Sequence, residues 1–254
     1  MPSRAMTYVP TDLHAHTTMS DGALSPEELV ATAAARGVRP SIADHLSRDV
    51  ASAVKSVDGV RSYLDELSRH PVLRGGEFCW HDSLWRELPR DVVARFTHRV
   101  GSLHAVYLPD GTRVHMFQRR FPEGVSLDAY MDAHVENLER MAREMPVDVL
   151  AHPTLLPLPL RALPLESLWT EAREERAVEA LHRAGIAFEI SNRYRPHERF
   201  AARAVARGVR IALGSDGHTV EQVADLTWPL ALARRLGVPD DELYDPTVHG
   251  SRTR

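Results

Sequence analysis

Between Asp12 and Gly22 the chain reads Asp-Leu-His-Ala-His-Thr-Thr-Met-Ser-Asp-Gly. In an extended strand alternate side chains share one face, so His14 and His16 point the same way from one rigid element. Two imidazoles on one face can grip one divalent cation; the other meaning of the pattern is a strand end with two exposed histidines. Asp21 follows in the turn before Gly22, where its carboxylate could reach a neighbouring cation. The pattern then recurs. Asp44-His45, Glu77, His104, His152 and Asp216-Gly217-His218 each follow a short apolar run. Imidazoles and carboxylates are donors for hard and borderline divalent metals, and such regular placement favours a shared cluster over scattered surface groups.

Donors so far apart in sequence need rigid elements to bring them together. Seven short apolar segments predict buried strands: Val9 to Ala15, Val38 to Ala43, Val72 to Glu77, Arg99 to Leu103, Val147 to Ala151, Ile186 to Ile190 and Val209 to Leu213. Helical patterns separate them, and strand alternating with helix implies a parallel sheet with crossover helices. The first helix is the clearest: Ser25 caps it, Pro26 takes its first turn, Glu28 completes a capping box and Gly37 stops it. Further helices are predicted over Asp58 to Arg69, Leu127 to Glu144, Thr170 to Ala184, His197 to Arg207 and Val220 to Leu236, with Gly185, Gly208 and Gly237 just past three of the ends. Pro89 splits Asp82 to Thr97 into two short helices. Leu155 to Pro164, with prolines at 157, 159 and 164, predicts an apolar loop packed over the rim, and Asp245 to Arg254 a polar tail that frays. No linker interrupts residues 1–254, so the expectation is one α/β domain: a closed or nearly closed, TIM-like seven-stranded barrel with the donors at the C-terminal ends of its strands.

Composition narrows the function classes. The 254 residues carry a formal net charge of −4, which argues against bulk nucleic acid or anionic lipid as the main partner. Cys79 is the only cysteine, which excludes an internal disulfide framework and suits a reducing cytosol. Met1 to Pro10 lacks an apolar signal core, and no run of about 18 apolar residues predicts a membrane span. The expected location is therefore cytoplasmic.

With His14, His16, Asp21, His45, Glu77, His104, His152, Asp216 and His218 laid out, the chain resembles the polymerase and histidinol phosphatase (PHP) superfamily over nearly its whole length, from Asp12 to about Gly237. Gly101-Ser102-Leu103-His104, Glu189-Ile190-Ser191-Asn192 and Gly214-Ser215-Asp216-Gly217-His218 resemble the stand-alone histidinol phosphatase type most. The resemblance implies a distorted seven-stranded barrel holding two or three divalent ions, often zinc, manganese or iron. It implies one ion on His14, His16, Glu77 and Asp216, a second on Glu77, His104 and His152, and a third on Asp21, His45 and His218, with Glu77 as the bridge. Two departures stand out: Ala43 replaces a usual threonine, removing a hydroxyl that would steady His45, and Gly217 replaces a common alanine.

Phosphate monoesters hydrolyse very slowly, because the anionic phosphate repels hydroxide and the leaving alkoxide is poor. Clustered divalent ions relieve both problems by acidifying bound water and by clamping the attacking and leaving oxygens. The expected reaction is hydrolysis of a small phosphomonoester, L-histidinol phosphate being one candidate, by hydroxide formed on the metals, with Glu77, Asp216 and His218 in the catalytic centre. Cys79 is better read as a buried thiol than as a covalent nucleophile. Arg193 and Arg195, after the sixth strand, either fork onto phosphate oxygens or lie in solvent. His81 and His115 are each either a leaving-group acid or a surface histidine. The histidines at 70, 98, 134, 182, 197 and 249 are placed on helix surfaces or loops without a role, and Asp44 supports its neighbour His45.

Three other functions were weighed. An amidohydrolase-type barrel also opens with His-x-His, but it needs a strand-end lysine as metal bridge, and Lys55, the single lysine, falls between two strands. A phosphodiesterase or nuclease on small nucleotides shares the same metal chemistry, although no aromatic-basic groove for long polymers is present, so stable nucleic-acid binding is not expected. A non-catalytic metal-binding module is the third.

Overall fold

In the computed structural model residues 8–252 are described. Eleven short strands form among them: β1 (Thr11–Asp12), β2 (Arg39–Ile42), β3 (His45–Leu46), β4 (Leu73–Arg74), β5 (Glu77–Cys79), β6 (Val100–Ser102), β7 (Ala105–Tyr107), β8 (Arg113–His115), β9 (Val149–Leu150), β10 (Ala187–Ser191) and β11 (Ile211–Gly214). β1, β2 and β4 make one parallel sheet; β3, β5, β6, β9, β10 and β11 make another, in the reverse of that order. Only two residues separate β2 from β3, and two separate β4 from β5, so each pair carries the chain from the first sheet into the second. At the outer edges Leu13 N–H donates to Leu213 O at 3.0 Å, and Ala15 bridges Gly217 in parallel, which sets β1 beside β11. The result is an α/β, barrel-like wrap of parallel strands with helices outside it.

Each predicted strand has a counterpart here. The third is broken at Gly75-Gly76, where a Cβ on Gly75 would lie 2.8 Å from the His98 ring, so glycine is required at that position. His98 and His134 do not belong on the surface where the sequence placed them; both are buried. His98 Nε2 lies 2.9 Å from Leu13 O and 3.3 Å from Ser41 Oγ. His134 packs on Tyr130 and Trp169.

Local chemistry explains the helices. Ser25 and Glu28 form the reciprocal cap of helix Pro26–Ala35, and Gly37 follows at φ +67°. Helix Leu127–Glu144 starts from Ser126, and helix Glu171–Ala184 runs from Thr170 to left-handed Gly185. Helix Glu198–Ala206 falls inside its expected span, and helix Val57–Leu67, capped by Ser56, starts one residue before its own and ends two residues short of it. The last long helix starts at Thr227 instead of Val220. Its expected first turns are held as irregular chain: Ala224 is left-handed at φ +59°, and the Arg36 guanidinium binds the carbonyls of Val220, Glu221 and Val223. Pro229 marked this boundary, since proline fits only a first turn.

Pro89 does separate two short helices, Leu84–Glu87 and Arg90–Val93. Residues 155–164 form a loop with one 3₁₀ turn, packed down through Leu155, Leu156 and Leu160. An antiparallel hairpin, β7 and β8, lies outside the predicted elements; its turn uses Asp110-Gly111, with Gly111 at φ +88°. The tail does not fray as far as residue 252. Arg252 N–H and Ser251 Oγ donate to the buried Asp148 carboxylate, and Arg99 reaches Ser251 Oγ and Arg252 O. No helix among the described residues is long and apolar enough to cross a membrane.

Candidate metal centre

The C-terminal ends of the parallel strands open on one mouth, and the nominated donors converge there. Glu77, the first residue of β5, stands at the centre. Its Oε1 lies 3.3 Å from His152 Nε2 and 3.4 Å from His104 Nε2, while Oε2 lies 2.5 Å from His45 Nδ1 and 3.6 Å from His14 Nε2. His14 and His16 do share a face, with Nε2 atoms 3.1 Å apart, and His16 Nε2 is 3.4 Å from Asp216 Oδ1. Asp21 closes the far side, at 3.6 Å from His16 Nδ1, 3.6 Å from His45 Nε2 and 3.3 Å from His218 Nε2.

The groups that can share one cation are His14, His16 and Asp216; His45, Glu77 and His104; and His16, Asp21, His45 and His218. These groups depart from the grouping implied by family resemblance: Glu77 falls in one group and not two, His152 falls in none, and His16 and His45 are the residues that each serve two groups.

These residues fit divalent cations on their own geometry. Donors sharing a cation at about 2.0–2.2 Å stand roughly 3.3 Å apart, which is the spacing found here. His16 Nδ1, His45 Nδ1 and Glu77 Oε2 are buried yet make no hydrogen bond of acceptable angle, although His45 and Glu77 almost touch. Buried polar atoms are ordinarily satisfied, so unpartnered donor atoms gathered in one cluster fit a site for cations.

Proton affinities in the cluster are pulled apart. Burial works to raise the Glu77 carboxyl, but the imidazoles of His45, His104 and His14 hold it well below the usual carboxylate range. Burial works to lower His45, but Glu77 and Asp21 push it up to about 10. Burial, reinforced by the neighbouring His45 charge, pushes His16 down to about 3.

Outer partners fix the donors. Glu189, on β10, accepts the His14 Nδ1 proton at 2.8 Å through Oε1 and the His152 N–H at 2.6 Å through Oε2. Asp12 accepts from Ser215 Oγ at 2.6 Å, Ser215 N at 2.8 Å and Ala224 N at 3.0 Å, tying β1 to the loop that carries Asp216. Asp44 accepts from Thr17 N and Thr17 Oγ1 at 2.7 Å each, so it holds the turn after His16 and not its neighbour His45. Burial raises both Asp12 and Asp44 to about 6. The sequence reading gave Glu189 and Asp12 no role; their signal was a carboxylate inside an apolar strand, which is costly unless hydrogen-bonded. His152 and Asp216 are left-handed at φ +32° and +51°, held so by His152 N–H to Glu189 and by Asp216 N–H to His14 O at 2.7 Å.

A cavity of 320 Å³ leads down to the cluster, lined further by Asp49, His115, Phe117, Arg193 and Tyr194. Arg193 Nη1 lies 2.5 Å from His218 Nδ1. Arg195 lies outside that lining, its guanidinium stacked 4.9 Å above the Trp228 ring. His115 faces the cavity, whereas the His81 side chain is fully buried behind it, their rings 5.7 Å apart. Cys79 is buried with Sγ 3.2 Å from His104 Nδ1, and burial pushes its thiol up, which does not suit a nucleophile. The two departures are both accommodated: Ala43 packs in the barrel interior, and a Cβ on Gly217 would lie 2.6 Å from the Val223 backbone.

The fold and the site thus define an α/β barrel-like protein with a cluster of candidate metal donors at its mouth. Neither a protein-family profile nor a curated protein sequence matches the chain. Among solved structures it is similar to a candidate histidinol phosphatase from Listeria monocytogenes, with a TM-score of 0.69 at 14% identity over 85% of this chain and 98% of that one. It is also similar to the histidinol phosphate phosphatase of Lactococcus lactis, solved with zinc, L-histidinol and phosphate, with a TM-score of 0.66 at 15% identity over 92% of this chain and 94% of that one. In fold, the chain resembles the stand-alone histidinol phosphatases of the PHP superfamily.

Proposed function

We propose that the protein is a metal-dependent phosphoesterase that hydrolyses a small phosphomonoester, with L-histidinol phosphate as the first substrate to test. The observation that carries this reading is Glu77, whose two oxygens face imidazoles on opposite sides at cation-sharing distances at the foot of an open cavity. The Lactococcus structure, with zinc and phosphate bound, supports the same chemistry for this fold. On this reading the barrel closes with seven strand positions, since β2 continues into β3, β4 into β5, and β1 adjoins β11.

His14, His16 and Asp216 would hold one divalent cation, His45, Glu77 and His104 a second, and Asp21 and His218, with His16 and His45, a third. Bound there, zinc, manganese or iron would acidify water and withdraw charge from a phosphoryl group. His152 steadies Glu77 through Oε1. Arg193 carries a permanent cationic fork on the cavity wall and holds phosphate oxygens against the cluster. Phe117 and Tyr194 give the remainder of the substrate an apolar wall that excludes water. His115 accepts the Phe117 N–H at Nδ1, at 3.2 Å, so its neutral ring keeps the proton on Nε2, available to the leaving oxygen. No side chain of this chain is required as nucleophile.

The test combines elemental analysis with phosphate release from histidinol phosphate, sugar phosphates, nucleoside monophosphates and bis-p-nitrophenyl phosphate. A monoester should be the fastest substrate. Faster cleavage of the diester than of every monoester would replace this reading with the phosphodiesterase one, and metal binding without turnover of any would leave a binding module.

A further inference from the structure

The histidines of the cluster are not backed alike. His14 donates its outer Nδ1–H to a buried carboxylate, Glu189, at 2.8 Å. His104 presents Nε2 to Glu77 Oε1 at 3.4 Å, and its outer Nδ1 meets Cys79 Sγ at 3.2 Å. Ser102 Oγ lies 3.4 Å from the same Nδ1, long for an N–H···O bond, so sulfur is the nearer partner. If Nε2 is to offer a lone pair to a cation shared with Glu77, the ring proton must sit on Nδ1, and Cys79 sulfur must accept it. Ser102 Oγ in turn lies 3.8 Å from that sulfur, which completes a buried and wholly neutral support.

A carboxylate partner strengthens an imidazole as a ligand because it stabilises positive charge spreading onto the ring. A thiol sulfur is a weak acceptor and does so far less. We infer that Cys79 is a positioning residue for His104, and that its sulfur makes the cation shared by His45, Glu77 and His104 the loosely held one, while Glu189 makes the cation shared by His14, His16 and Asp216 the tightly held one. The inference rests on the reading of the cluster as a metal centre, and not on which ester it cleaves. The protein would therefore exchange or lose one metal ion before the other.

Zinc titration calorimetry on the metal-stripped full chain should resolve at least two affinity classes, with the cation at His45, Glu77 and His104 looser than the one at His14, His16 and Asp216. Cys79→Ala should weaken the looser class about tenfold or more and leave the tighter one in place, whereas Glu189→Gln should weaken the tighter class. Cys79→Ser, which keeps a polar partner near His104, should fall between wild type and Cys79→Ala; it also serves if alanine destabilises the fold. Ring-nitrogen NMR on ¹⁵N-histidine-labelled zinc protein should show the His104 proton on Nδ1. One uniform class, equal weakening of both classes by Cys79→Ala, no change in either, or a His104 proton on Nε2 would each overturn the inference while leaving the metal centre standing. Absence of zinc binding by wild-type protein would remove the metal centre and this inference together.

Discussion

Glu77 is the residue on which the cluster turns, because it alone faces His14, His45, His104 and His152. Glu77→Gln keeps the volume and removes the charge. It should lower metal content and phosphate release together, measured by elemental analysis and colorimetric assay on one preparation; activity at the wild-type level would show that the bridge lies elsewhere. Arg193→Ala should raise KM more than it lowers kcat, since that side chain holds the anion and not the reacting bond; unchanged kinetics would remove it from the pocket. His45 yields a pH prediction. Burial opposes its protonation, but Glu77 and Asp21 push it up to about 10, above its ordinary 6.5, so the metal-free protein carries this proton at neutral pH. A cation must expel it, so zinc affinity should rise with pH across neutrality, about tenfold per unit for each proton released. Calorimetry in two buffers of different ionisation heat should show the release; identical heats would count against it.

At the scale of elements, the strand ends matter more than the strands. β11 ends on Gly214, where a Cβ would collide with Glu189 Oε1. Gly214→Ala should push Glu189 away from His14 and weaken zinc binding about tenfold or more with the fold retained, measured by competition with a chelator beside a thermal melt. Unchanged affinity would mean that Glu189 is not needed to hold His14. Much of the element pattern was legible in the chain: Ser25-Pro26-Glu28 set one helix start, Ser126 and Thr170 two more, and a strand overlaps each apolar run. The hairpin was legible too, from Asp110-Gly111, and the start at Thr227 from Pro229, but both signals are local and were outweighed by longer-range apolar patterning.

At the scale of the whole molecule, residues 245–252 tie down strand starts at the end of the barrel away from the cluster, through Asp148 just before β9 and Arg39 at the start of β2. Removing residues 245–254 strips Asp148 of Ser251 and Arg252 and strips Arg39 of Asp245. Stability should fall by about 1–3 kcal/mol, a Tm lower by roughly 3–10 °C, with zinc content unchanged because the tail lies at the end opposite the cluster. A melt indistinguishable from the full chain would show that the tail contributes nothing.

The sequence by itself determined which residues could bind metal, because ligand chemistry belongs to the side chain, and it determined the alternation of strand and helix, because hydrophobic period and capping act over a few residues. Only the tertiary structure decided which donors lie close enough to share a cation, that Arg193 and not Arg195 faces the cavity, and that Glu189, Asp12 and Cys79 stand behind the donors. Those outcomes depend on distances of a few ångströms between strands that begin and end at different heights, and on two backbone turns, at His152 and Asp216, whose left-handed form is imposed by bonds to residues far away in the chain.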